Sequence, residues 1–172
     1  MKKLFILAAF TACAFASHAQ DNGGGKKLSF SAGIEAALPM GDFGDVYSMG
    51  IGASAQGAYA LSDKAGITLN AGYISYSGKS IDVLGTSVKA DALNVIPVMA
   101  GLKYGLTDKI YAHGQAGMSF WSSGDVSESD FTWNIGVGYN ITNNIDVALK
   151  YNSIGTEGSA SNAVGLRVAY NF

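Results

Sequence analysis

FTWNIGVGYNI, residues 131–141, carries two different surfaces interleaved one residue at a time. Phe131, Trp133, Ile135, Val137, Tyr139 and Ile141 fall on one side of an extended chain; Thr132, Asn134, Gly136, Gly138 and Asn140 fall on the other. Period two over this length predicts a strand, and a tilted strand needs about 9–11 residues to cross a bilayer. Residues 145–152 repeat the arrangement, with Ile145, Val147, Leu149 and Tyr151 opposed to Asp146, Ala148, Lys150 and Asn152. Residues 28–38 do so again, with Phe30, Ala32, Ile34, Ala36 and Leu38 against Ser29, Ser31, Gly33, Glu35 and Ala37. The same alternation, less clean, runs through residues 49–61, 66–75, 92–106, 110–121 and 163–172, which brings the expected strands to eight.

The connections alternate too. Long polar stretches (PMGDFGDVYS, SGKSIDVLGTSVKAD, SSGDVSESD and IGTEGSAS) follow the odd-numbered strands, while SDKA, TDK and TNN follow the even ones. Short turns at one end, long loops at the other and an even strand count predict an all-β fold. Its form is an eight-stranded antiparallel up-and-down transmembrane β-barrel with both termini on the short-turn side.

A soluble eight-stranded barrel has the same strand plan, so the faces must decide. Its outer surface would need many charges, whereas only 14% of these 172 residues are charged, and 23 are glycine. An ordinary soluble domain has about 25% charged residues. The less apolar face here is Gly, Ser, Ala, Asn and Gln with isolated charges at Glu35, Lys103, Asp146, Lys150 and Arg167. Small polar residues suit the lumen of a narrow barrel. The apolar face carries no charge in any expected strand. One Lys or Arg there would cost roughly 2–4 kcal/mol at mid-bilayer. No run of 18 apolar residues follows the first segment of the chain, so a helical span is excluded. Aromatics gather in two belts, with Tyr59, Tyr104, Tyr139, Tyr170 and Phe172 by the short turns. Tyr73, Tyr76, Phe120, Trp121, Phe131, Trp133 and Tyr151 lie by the long loops.

Residues 1–19 read as a cleaved signal peptide: Met1-Lys2-Lys3 is basic, residues 4–16 are apolar, and Ser17-His18-Ala19 places small residues at −3 and −1. Cys13 offers a rival reading as a lipidation site, but Phe10-Thr11-Ala12 lacks the leucine expected at −3. Cleavage leaves no cysteine and therefore no disulfide or thiol chemistry. Residues 20–27 read as a flexible lead-in, and residues 28–172 as the expected barrel domain. Without Lys2 and Lys3, 9 basic residues face 13 acidic ones, a net charge of −4 that argues against a nucleic-acid surface.

Several segments resemble the small outer-membrane β-barrels of the OmpA/OmpX transmembrane-domain type, in the versions common in Bacteroidota. They are Ala19-Gln20, LPMGDFG at residues 38–44, IPVMAGLKY at residues 96–104 and VAYNF at residues 168–172. The resemblance covers the whole expected mature chain, and its motifs specify architecture rather than activity. It implies an outer-membrane location in a Gram-negative bacterium, in contact with lipid and lipopolysaccharide, with the long loops outside the cell. It implies also that Tyr170 and Phe172 are an assembly signal read by the outer-membrane assembly machinery. No peptidoglycan-binding domain is expected after the eighth strand.

Barrel closure would bring Glu35 beside Arg167, with Lys150 on the next strand, and a buried carboxylate requires such partners. The expectation is a structural Glu35–Lys150–Arg167 cluster in the lumen, with Gln56, Asn70, Gln115 and Asn134 supplying hydrogen bonds. Some eight-stranded barrels modify lipid A with a lipid-facing His, Ser and acid near the outer rim. His113 instead has the inward phase, near the short-turn end, with Gln115 two residues on. Asp42, Asp45, Asp125, Glu128, Asp130 and Glu157 make the loops acidic without the ligand spacing of a calcium loop. The spaced glycines of GVGYN and GIGASAQG lie inside strands, which excludes a phosphate-binding turn. No catalytic, cofactor-binding or metal-binding residue is assigned. The function expected is a monomeric, non-enzymatic outer-membrane barrel without an open channel. Its role is structural, or an interaction through four outer loops whose partner is unknown. A narrow pore is the alternative, and a lipid A-modifying enzyme the third reading.

Overall fold

The computed structural model describes residues 28–83, 86–124, 126–155 and 160–172. The expected signal peptide and lead-in, with Cys13, lie outside the described residues, as do Asp125 and Glu157. Eight long strands form the wall: β1 (Leu28–Met40), β2 (Tyr47–Ala60), β3 (Ala65–Gly78), β6 (Leu93–Gly105), β7 (Ile110–Ser123), β8 (Val126–Asn140), β9 (Ile145–Ile154) and β10 (Ser161–Asn171). They close into one antiparallel barrel in the order β1-β10-β9-β8-β7-β6-β3-β2. The seam pairs β1 with β10 from Ser31↔Asn171 to Met40↔Asn162, so the ladder has no free edge along it.

The long connections are more ordered than their polar composition suggests. A short helix, α1 (Asp42–Val46), lies in the first, and a separate hairpin of β4 (Ser80–Val83) and β5 (Thr86–Lys89) in the second. Most of SSGDVSESD is strand rather than loop, because β7 and β8 stay paired from Ile110↔Tyr139 up to Ser123↔Val126.

The three short turns share one design. In each, a hydroxyl accepts backbone N–H groups that the ladder leaves free: Ser62 Oγ from Ala65, Thr107 Oγ1 from Ile110 and Thr142 Oγ1 from Ile145, at 3.0–3.1 Å. The preceding residues also match, as Tyr59-Ala60-Leu61, Tyr104-Gly105-Leu106 and Tyr139-Asn140-Ile141. Each turn is stitched to the next strand along, through bonds from Gly105 N to Lys64 O, Asn140 N to Lys109 O and Asn171 N to Asn144 O.

Burial is inverted relative to a soluble protein. On β8 the apolar Ile135 is 59% exposed while its neighbour Asn134 is 2% exposed. Ile34, Ile51, Leu69, Leu102, Val137 and Leu149 also face outward, whereas Ser54, Thr68, Gln115 and Asp146 are buried. Such a surface belongs in hydrocarbon. Tyr59, Tyr104, Tyr139, Tyr170 and Phe172 are exposed beside the turns, as are Tyr73, Phe120, Phe131, Trp133 and Tyr151 beside the loops. Two members of the expected loop-end belt do not belong to it. Tyr76 is 2% exposed, on the lumen side with Ile74. Trp121 is half-buried, and its Nε1 donates to Asp130 Oδ2 at 2.7 Å. The parity that puts Asn70 inside β3 puts Tyr76 inside as well.

The lumen as candidate functional site

Side chains fill the lumen in layers. At the loop end Ala37, Ile74, Tyr76, Leu93, Val95 and Ala163 form a buried apolar cluster, covered by Phe43, Tyr47, Trp121 and Ile154. Helix α1 supplies Phe43, whose ring stands edge-on to Tyr76 at 5.1 Å and tilted on Tyr47 at 5.3 Å. Room for Tyr76 comes from its partner Gly50 on β2, where a Cβ would overlap the ring.

Below this cap lies the charged centre. Glu35 and Arg167 are direct partners across the seam, and Lys150 stands on the next strand, beside Gly165. Lys150 Nζ meets Glu35 Oε2 at 2.6 Å, while Arg167 Nε is 3.8 Å from Glu35 Oε1. All three residues are buried. Arg167 spends its donors on two serines, Ser54 Oγ at 2.9 Å from Nε and Ser31 Oγ at 3.0 Å from Nη2. The adjacent strands β1 and β2 thus hold a guanidinium that comes from β10, and the seam between β1 and β10 is pinned from inside. A buried pair of this kind adds little net stability, but removing one partner costs about 3–5 kcal/mol.

The amides form a second network rather than serving the charged cluster. Gln115 Nε2 donates to Gln56 Oε1 at 3.1 Å and to Thr68 Oγ1 at 3.0 Å. Asn134 Nδ2 donates to Gln115 Oε1 at 3.2 Å, with Met99 Sδ at 3.3 Å. Asn70 is buried beside them without a side-chain hydrogen bond among the described residues.

Near the turn end Tyr111 donates to Asp146 Oδ1 at 2.6 Å, and Asn171 Nδ2 to Asp146 Oδ2 at 2.8 Å. Gly138, opposite Tyr111 in the ladder, leaves the space that this ring occupies. Lys103 Nζ sits 3.7 Å from the Tyr111 ring centroid. His113 faces the lumen, and its Nε2 is buried without a partner. Sequence reasoning missed Ser31, Ser54, Thr68 and Tyr111 as members of these networks. Their inward parity was available, but serine is too common on that face to single out two. Among the described residues no three His, Cys, Asp or Glu side chains stand close enough to hold a metal ion.

Charge is sorted by height. In the sequence the four long connections contain eight carboxylates and two lysines, whereas the three short turns contain two carboxylates and two lysines. The negative charge of the protein therefore resides at its loop end.

A closed, inside-out barrel with a polar lumen, aromatic girdles and short turns at one end defines an integral membrane β-barrel. The chain belongs to the outer membrane protein beta-barrel domain family, whose profile matches residues 5–172. Solved structures share the fold. The attachment invasion locus protein Ail of Yersinia pestis, in a phospholipid nanodisc, is 15% identical with a TM-score of 0.59, over 84% of this chain and 99% of that one. The N-terminal β-barrel domain of Pseudomonas aeruginosa OprF is 20% identical with a TM-score of 0.54, over 83% and 97%. Neisserial surface protein A is 16% identical with a TM-score of 0.50, over 84% and 96%. No curated protein sequence matches the chain.

Proposed function

We propose that this outer-membrane barrel is a closed, non-enzymatic, monomeric envelope protein that acts through its outer surface. The observation that carries this reading is the doubly filled lumen: an apolar cap at the loop end above a packed ionic centre. A channel needs a continuous wet path, and each layer opposes one in a different way. The short turns face the periplasm and the acidic loops face outside, in the orientation usual for such barrels. Lipid and lipopolysaccharide surround the wall, and Tyr170 and Phe172 serve as the assembly signal for the outer-membrane machinery.

Inward orientation of His113 supports the absence of lipid chemistry, since no lipid reaches that ring through the wall. Ail has been crystallised with the heparin analogue sucrose octasulfate. The carboxylate excess on the loops here favours cationic partners and repels such polyanions. Planar-bilayer recording tests the closed lumen: the reconstituted protein is expected to give no conductance above the bare membrane. Steady unit conductance that falls in Arg167→Ala would establish the narrow pore instead. Unaltered lipid A in the mass spectrum of a deletion strain is the matching expectation for a protein without enzymatic activity.

A further inference from the structure

Between the amide network and the turn-end tyrosine lies a cavity of about 10 Å³. That is room for one water-sized particle. Its wall is chemically one-sided. Lys103, Lys150 and Arg167 all line it, together with His113, Asn70 and Gln115, and no carboxylate does. The two fully buried carboxylates are engaged elsewhere: Glu35 with Lys150 and Arg167, and Asp146 with Tyr111 and Asn171. Lys103 makes no ion pair among the described residues and rests only on the Tyr111 ring. At this level of the lumen the buried Glu35 and Asp146 stand with the buried Lys150 and Arg167 and the half-buried Lys103, and one buried donor-capable nitrogen, His113 Nε2, lacks a partner.

We propose that this cavity is a binding site for one small monovalent inorganic anion of the halide class, chloride being the abundant example. A water could satisfy a donor, but it cannot offset the surplus positive charge in a lumen walled by low-dielectric protein and lipid. A cation is repelled by three like charges. Phosphate, sulfate and organic carboxylates are too large for the space. Lys103 Nζ supplies the neutralising charge, and His113 donates from Nε2 in the tautomer that carries its proton there. Asn70 and Gln115 line the side of the cavity toward the amide network. Bound in this way, the anion ties β6 and β7 to the charged centre on β9 and β10, and it completes the filling of the lumen.

The test is urea unfolding of the protein, refolded in detergent micelles, in sodium chloride and in sodium gluconate at equal ionic strength. Gluconate is excluded by size, and matched ionic strength removes general screening. Above the dissociation constant, each tenfold rise in chloride is expected to raise the folded-to-unfolded ratio close to tenfold, with no such rise in gluconate. Lys103→Met, or Lys103→Gln if the first variant does not refold, is expected to abolish the chloride dependence. Crystals of the unaltered protein soaked in bromide should show an anomalous peak between Lys103, Lys150 and Arg167. Equal stability in the two salts overturns the proposal, as does a chloride effect that survives in the Lys103 variant. A bromide peak without chloride dependence in solution is binding at crystal concentration only, and overturns it too.

Discussion

The two halves of the lumen close the same bore with opposite materials. At the loop end, rings and aliphatic chains on β3 and β6 meet a helix folded in from the first loop. In the middle and toward the turns, charges and amides meet across the bore through paired donors and acceptors. The apolar cap is non-directional: its contacts depend on area and shape, so neighbours can shift to fill a small loss. The polar layer is directional, and removing one member strands the others in a place without water. Both layers fill the bore, but only the polar one also fixes the register of the barrel, through Arg167, bonded to β1 and β2 from β10.

The comparison breaks first at Glu35. Glu35→Ala leaves Lys150 and Arg167 buried without a counter-charge. It is expected to cost about 3–5 kcal/mol, read as a lower urea midpoint and earlier loss of heat-modifiable gel migration. Replacing all three residues by apolar ones of similar size should recover most of that loss, which separates the cost of an orphaned charge from the value of the cluster. Tyr76→Ala comes next, at about 3 kcal/mol from the cavity left under Phe43. Neither variant alone is expected to conduct in planar bilayers, because the other layer stays filled; the double variant is. Conductance in the single Tyr76 variant would show that the ionic layer does not seal. Gly138→Ala drives a methyl into the Tyr111 ring and is expected to cost about 1–3 kcal/mol, with loss of the bond to Asp146. Thr107→Ala, in an exposed turn, should cost only about 0.5–1 kcal/mol in the same urea assay, since water replaces the hydroxyl.

Strand number, closure and the sidedness of the wall were legible in the sequence because one physical variable, alternation, carries all three. The charged cluster was legible for a related reason: a charge inside a membrane barrel has few places to go, and closure dictates its neighbours. What alternation could not separate was the loop end of β3 and β6. There Tyr73 and Tyr76, or Val95 and Ile96, are apolar on both faces, so composition no longer distinguishes lumen from lipid. Parity counted from Asn70 does distinguish them, and it places Tyr76 inside. Helix α1 was illegible because five residues carry no period, and the β7–β8 extension because its strands are polar on both sides above the membrane. The choice of Ser31 and Ser54 for Arg167 depends on the reach of one side chain across three strands, which no local pattern encodes.

The three matching turns make each hairpin an interchangeable part. Tyr, a spacer, Leu or Ile, then Ser or Thr recurs wherever a strand comes down and turns, and each turn grips the next hairpin through the same carbonyl. A rim specified by the unit is indifferent to how many units stand in the ring, so duplicating one hairpin would leave every joint at the turn end as it is. The interior has no such tolerance. A wider ring moves Glu35, Lys150 and the serines beyond one another's reach, because barrel diameter grows with strand number. Copying is constrained from within: the hairpins could multiply, but only this count keeps the centre occupied.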